Sequence, residues 1–251
     1  MKFRLKAFGL HILVSALVLT LILGALFLGW YRWPGWYLAD VSHVIAVVIG
    51  VDLVLGPLVT FLIANSKKSR QVLARDIAMI ATVQLMALGY GTTALWQGRP
   101  LYYAFSENLL QMVQAYDIDA QELDLAREQH AKLVPHWYSL PRWIWAPLPD
   151  DAKERRKIVS SALSGAADVI EMPRYFKPWE DGLPMLRAHL KNVDNVAYFS
   201  RAQKKKLKER MEASGIATDA RNCMPLTGRG HPLLAVIDPD SLKVAALFKA
   251  S

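Results

Sequence analysis

Cysteine is nearly absent. The 251 residues include one, Cys223, which excludes an intramolecular disulfide framework, a CxxC redox pair and any multi-cysteine metal site. Acidic residues are scarce at the start, where residues 1 to 95 hold eight Lys/Arg against three Asp (Asp40, Asp52, Asp76), a net +5. Residues 96 to 251 hold 22 Lys/Arg and 19 Asp/Glu, a net +3. The basic balance thus belongs mostly to the apolar part of the chain, with charges bracketing apolar runs. A nucleic-acid binder concentrates positive charge on a folded domain, so no nucleic-acid partner is expected. Also missing are HExxH, GxSxG, GxxxxGK[ST] and any distinctive carboxylate pair. Without them no catalytic residue, metal or cofactor is assigned, and the expectation is a protein that is not an enzyme.

What is present is length in the apolar runs. Ala7 to Trp30 carries no charge, and roughly 20 apolar residues suffice to cross a bilayer core. The run is preceded by Lys2, Arg4 and Lys6 like a secretory signal, but it exceeds the ~7–15-residue core of one and ends in "LFLGWYRW" without a small-residue cleavage site. It reads as an uncleaved anchor. Further runs at 41–64 and 77–96 complete three spans within residues 1–96. The linker "NSKKSRQVLAR" carries Lys67, Lys68, Arg70 and Arg75, whereas "YRWPGWYLAD" has one Arg, one Asp and four aromatics. Positive-inside then puts the amino terminus and second linker in the cytoplasm, and the domain of residues 97–251 on the opposite side, which is the periplasm in a Gram-negative bacterium. Trp30, Tyr31, Trp33, Trp36, Tyr37 and Trp96 suit an aromatic belt at the outer face.

The second run, "VDLVLGPLVTFLI", holds a carboxylate and a helix breaker. Asp52 falls near mid-span, where an Asp costs roughly 2.5–3.5 kcal/mol to insert, so it must face protein or water. By depth its nearest expected partners are Thr20 and Tyr90, with Gln84 about one turn off. Pro57 donates no amide to the Leu53 carbonyl, so beside Gly56 the helix is expected to bend or open a backbone acceptor. Two meanings compete for Asp52: a binding or relay position, or a hydrogen bond fixing helix register. "GYGTTA" (Gly89–Ala94) matches a dinucleotide fingerprint but lies on a spanning helix, where Ala87 and Gly91 suit close helix approach instead. His11 is expected at the cytoplasmic interface.

Beyond residue 96 the pattern is α+β. "LYYAFSENLLQMVQAYDI" gives two short strand-like runs, and Asp119/Glu122, Asp151/Glu154 and Ser200/Gln203 have helix-capping spacing. Gly165 and Gly215 read as helix stops, and the runs around Asp238-Pro239-Asp240-Ser241 read as a hairpin. His130, His136, His189 and His231 lack convincing metal-ligand spacing. "KKKLKER" (Lys204–Arg210) reads as a solvated helix face. "HWYSLPRWIWAPLP" (His136–Pro149) is a stiff apolar ribbon that must pack into the domain, rest on the membrane or meet a partner.

Taken together, "KAFGLHILVSAL", "GVDLVLGPLVTFLI", "NSKKS", "QLMALGYGTTALWQGRPLYYAF" and "MPLTGRGHPLLAVIDPDS" resemble the TfpX/TfpZ family of type IV pilin accessory proteins. The resemblance covers nearly the full length, with "GVDLVLGP" and "GRPLYYAF" its specific part. It implies a three-helix transmembrane bundle followed by an α+β extracytoplasmic domain, embedded in the inner membrane. The implied function is chaperone-like assistance to stability, assembly or display of a cognate type IV pilin, with other pilus assembly proteins as further partners. Contact with the pilin's membrane helix is expected at Asp52, Gly56, Pro57, Thr20, Tyr90 and Gly91, with Gly50 and Ala87 adding small surfaces, while the outer domain touches the pilin head. The rival expectations are a membrane enzyme modifying pilin or a lipid-linked group, and a sensor or transporter subunit.

Overall fold

The structure, a computed structural model, describes residues 1–65 and 68–250; Ser66 and Lys67 of the basic turn, and Ser251, lie outside the described residues. The chain separates into two compact units. One comprises Met1–Arg32 and Val41–Gly98, and the other takes Trp33–Asp40 together with the chain from Arg99 onward.

In the first unit three helices, Lys2–Gly29, Ser42–Ile63 and Arg70–Gln97, are long and apolar enough to cross a membrane. The first and third continue beyond the apolar runs because their basic leads hold no breaker. Ser69 starts the third, its Oγ accepting the Val72 amide at 3.4 Å. The middle helix changes its winding: residues Gly50–Leu55 are π-helical, between α-helical Ser42–Ile49 and Gly56–Ile63. Long-range contacts join the helices. At one end Phe8 meets Phe61 edge-on at 6.0 Å and Arg4 Nε donates to the Ala64 carbonyl at 2.8 Å. At the other, the fully buried Tyr31 donates its hydroxyl to the Leu95 carbonyl at 2.7 Å, and Trp30 meets Trp96 at 5.0 Å.

The second unit is built on a mixed sheet. Its strands are β1 (Pro100–Ser106), β2 (Leu109–Gln114), β3 (Arg142–Trp145), β4 (Lys177–Pro178), β5 (Cys223–Thr227), β6 (Leu233–Ile237) and β7 (Val244–Lys249), in the order β4-β3-β1-β2-β5-β6-β7. β1 lies parallel to β3 and β2 parallel to β5; the remaining pairs are antiparallel. Both faces of β1 are covered. Tyr102 and Ala104 enter a core with Val113, Ile144 and Ile158, while Tyr103 and Phe105, one residue out of phase, meet Trp143 at 4.8 Å and Trp179 at 6.4 Å. A second core forms where Leu207 and Met211 of helix Arg201–Ala213 cover Cys223, Leu234 and Val236. Burial there pushes the Cys223 thiol up to about 12, so it stays protonated and inert.

The helix ends follow the capping pattern of the sequence. Asp119 accepts the Gln121 amide at 2.7 Å, and Asp151 those of Lys153 and Glu154 at 3.0 and 2.8 Å. Ser200 and Gln203 form a reciprocal capping box. Gly165 and Gly215 have φ of 78° and 71° just past their helices, a left-handed conformation in which glycine carries no Cβ penalty. The β6–β7 turn is tied by Asp238, whose Oδ1 accepts the Ser241 amide at 2.7 Å, a bond that holds the carboxyl below its ordinary range.

The structure adds detail to two aromatic segments. The aromatic belt divides: Tyr31 is a packing residue of the helical unit, whereas Trp33, Trp36 and Tyr37 belong to the sheet unit, where Lys249 Nζ lies 4.6–5.2 Å from all three rings. The ribbon His136–Pro149 also divides, because Arg142–Trp145 is an interior strand with Ile144 fully buried, while Trp137 stands 72% exposed.

Candidate functional site

The principal site lies in the helical unit, around the π-helical turn. Widening the helix there sends the Gly56 amide to the Val51 carbonyl, five residues back. In that register the next amide, at residue 57, would serve the Asp52 carbonyl, but Pro57 has no N–H to give. Gln84 of the third helix supplies it. Its Nε2 stands 3.4 Å from the Asp52 carbonyl oxygen and 3.4 Å from Oδ1. Gly56 makes this approach possible, since a Cβ there would lie 2.0 Å from Gln84 Nε2. Proline, glycine and glutamine therefore form one device that patches an opened helix from a neighbour.

The patch is incomplete. Asp52 is 4% exposed, and its Oδ2 has no hydrogen-bond partner. An unsatisfied buried polar atom costs about 1–3 kcal/mol, and more when charged. Asp52 lines a groove of about 370 Å³ whose other polar residues are His11, Ser15, Thr60 and Gln84. His11 Nδ1 and Thr60 Oγ1 are hydrogen-bonded to one another at 2.6 Å, so that pair is already engaged. The walls are aliphatic, with Leu10, Val14 and Val18 on one side and Ala81, Leu85 and Leu88 on the other.

The residues predicted at this site separate on inspection. Asp52, Gly56 and Pro57 come together as expected, but Thr20 and Tyr90 do not join them: both are exposed, Tyr90 by 81%. Depth along a span fixes height and not azimuth, and Gln84 points inward where Tyr90 does not. Gly91 also serves this chain's own packing, since a Cβ on it would sit 2.2 Å from Val48 Cγ2. Gly50, by contrast, is open: a Cβ added there would meet nothing within 4 Å. His11 is half-buried and bonds across to a neighbouring helix. Its partner Thr60 lies 49 positions away, and only a paired reading of two helices brings them together.

The sheet unit offers a smaller polar pocket of about 230 Å³, lined by Gln111, Gln114, Asp117, Glu171 and Arg229 among others. Arg229 bonds Asp117 at 3.3 Å and covers the Tyr116 ring at 4.3 Å. Burial raises the Glu171 carboxyl and pushes the Tyr116 hydroxyl up to about 12. The groups neutralise one another, as a structural network does. Among the described residues no three His, Cys, Asp or Glu side chains gather into a metal site. His136 stacks on Tyr138 at 5.3 Å, and His189 Nδ1 is 2.8 Å from the Met185 carbonyl. In the basic helix, Lys204 and Lys208 are held by Asp194 at 2.7 and 2.6 Å.

A membrane-length helical unit with a polar-floored groove, joined in one chain to a mixed sheet and helix domain, defines the class of protein. Comparison with known proteins narrows it. The chain is 23% identical over 241 residues to the fimbrial assembly protein of serogroup I of Dichelobacter nodosus, spanning 94% of this chain and 91% of the relative, and matches that of serogroup E1 to the same extent. It is 30% identical over 124 residues to the fimbrial assembly protein of serogroups C1 and C2, covering 49% of this chain and 95% of that relative. The chain belongs to this family of fimbrial assembly proteins. No family model and no solved structure matches it.

Proposed function

We propose that this protein is an inner-membrane accessory factor of type IV pilus biogenesis, of the TfpX/TfpZ kind, that assists its cognate pilin by binding the pilin's membrane helix and head. Membership of the fimbrial assembly family supports the process. The observation that carries the binding role is the aliphatic groove along the helical unit, with a buried carboxylate in its floor. A pilin awaiting assembly keeps an apolar helix in the membrane and a globular head outside it, so its helper needs a surface for each.

The division of the chain supports the same orientation. Residues Trp33–Asp40 belong to the sheet unit, which the chain leaves at 40 and re-enters at 99, with two membrane-length helices between. If both helices cross, the aromatic linker and the sheet domain share one side. Leu38 is fully buried there, and the Gly230 amide donates to its carbonyl at 2.8 Å. The amino terminus and basic turn then face the cytoplasm, and the sheet domain faces the periplasm. The factor acts by binding, and the exposed Thr20 and Tyr90 remain available to the pilin or to other assembly proteins.

Photocrosslinking in cells tests this function. A photoreactive residue at Val14 in the groove is expected to crosslink to the pilin, and pilin abundance and surface piliation to fall when the gene is removed. Normal piliation without the gene, together with no pilin adduct from Val14, would reject the proposal.

A further inference from the structure

The groove has a length as well as a floor. On the first helix its lining residues Ala7, Leu10, Val14, Val18 and Leu19 recur at helical spacing on one face, which extends about 18 Å at ~1.5 Å per residue. On the third helix Ile77, Ala81, Leu85 and Leu88 form the matching wall over three turns. Much of this wall is uncovered: Leu10 is 64% exposed, Val14 52% and Leu85 67%. A slot this long and aliphatic suits an elongated apolar occupant. Its chemical demand is the Asp52 Oδ2, buried and without a donor, while Oδ1 is served by Gln84 and the His11–Thr60 pair is mutually engaged.

We infer that the groove receives a single apolar helix that presents a hydrogen-bond donor, an N–H or ammonium group, to Asp52 Oδ2. A lipid acyl chain satisfies the walls and leaves the carboxylate oxygen unmet; an all-aliphatic helix does the same. Only a helix with a donor at that height completes both. Charge complementarity thus commits the occupant to a donor-bearing helix of a partner, and the pairing gives register, because the rod slides freely along aliphatic walls until the donor meets its acceptor. This inference rests on the proposed pilin-binding role and adds to it the chemistry that the bound helix must carry.

The test uses the full chain in lipid nanodiscs and two fluorescent peptides of about 20 residues, Leu/Ala helices identical except for Lys or Leu at the centre. The Lys peptide is expected to bind about fivefold to thirtyfold tighter, the range of interhelical hydrogen bonds between membrane peptides. Asp52→Leu should abolish that preference while retaining binding of the Leu peptide. Val14→Trp, which fills the slot, should weaken both peptides, and retained binding of the Leu peptide by Asp52→Leu guards against a folding artefact in that variant. Equal binding of the two peptides to the native chain, or a preference that survives Asp52→Leu, overturns the inference. Such a result alongside intact pilin crosslinks from Val14 rejects the donor pairing alone; peptide discrimination without pilin crosslinks rejects the pilin and retains the pairing.

Discussion

The two units set their helices with polar side chains in different ways, although the sheet unit also has distant bonds such as Arg229 to Asp117 and the helical unit a local cap at Ser69. In the sheet unit the caps act within two or three residues, as Asp119 does on Gln121, Asp151 on Glu154 and Ser200 on Gln203. In the helical unit the bonds that tie one helix to another join distant positions: Arg4 to Ala64, His11 to Thr60, Tyr31 to Leu95 and Gln84 to Asp52. The reason is the solvent each unit is suited to. Where water is at hand a helix end needs only a local cap, whereas a helix suited to hydrocarbon satisfies its backbone internally and spends its few polar groups on its neighbours. Local bonds build elements; distant ones set how helices meet.

The comparison predicts a ranking of damage. Gly91→Leu should be worst, because its side chain must enter space held by Val48 at a helix crossing; overpacking costs about 1–3 kcal/mol, visible as a lowered thermal midpoint and lowered membrane abundance. Gly50→Ala, with nothing within 4 Å, is the neutral control. Gln84→Met keeps the volume but strips both bonds from Asp52, and should cost about 1–3 kcal/mol. If it proves neutral, the patch over the π-helical turn is not structural. Ser200→Ala removes a local cap and should cost about 1 kcal/mol, confined to protease sensitivity near helix Arg201–Ala213. If that variant instead disturbs helix crosslinks in the first unit, the separation of ranges fails.

The smallest effect is one of pH. Burial raises the Glu171 carboxyl above its unfolded value, so the folded state favours the protonated form. That contribution is fully present below the ordinary glutamate range and lost as pH rises through the raised folded value. Glu171→Gln, which keeps an acceptor for the Asp168 amide, should therefore gain up to about 0.5 kcal/mol at pH 7 and no advantage in acid, read from melting curves of the full chain. Asp238 has the opposite sign: its lowered value adds stability above the ordinary aspartate range that disappears as pH falls through the folded value.

The same contrast explains what was legible in the sequence. Caps at Asp119, Asp151 and Ser200, stops at Gly165 and Gly215, the β6–β7 hairpin and three membrane-length apolar helices were all readable, because each is decided by neighbours in the chain. The site was half readable. A carboxylate beside Gly56-Pro57 announces itself, but its partner depends on azimuth, so depth counting chose Thr20 and Tyr90 where the fold supplies Gln84. The inclusion of Trp33–Asp40 in the sheet unit was invisible for a similar reason: Leu38 meets Gly228 and Gly230, nearly two hundred residues on.

Everything proposed for the pilin requires the sheet domain to face outward, and the lone buried Cys223 makes that directly measurable. Single cysteines placed at the exposed Lys205 and, separately, at the exposed Arg70 would be treated in intact cells with a maleimide that reaches the periplasm and not the cytoplasm. The account predicts labelling at position 205 and none at position 70 until the cells are broken. Labelling at 70 with protection at 205 contradicts it.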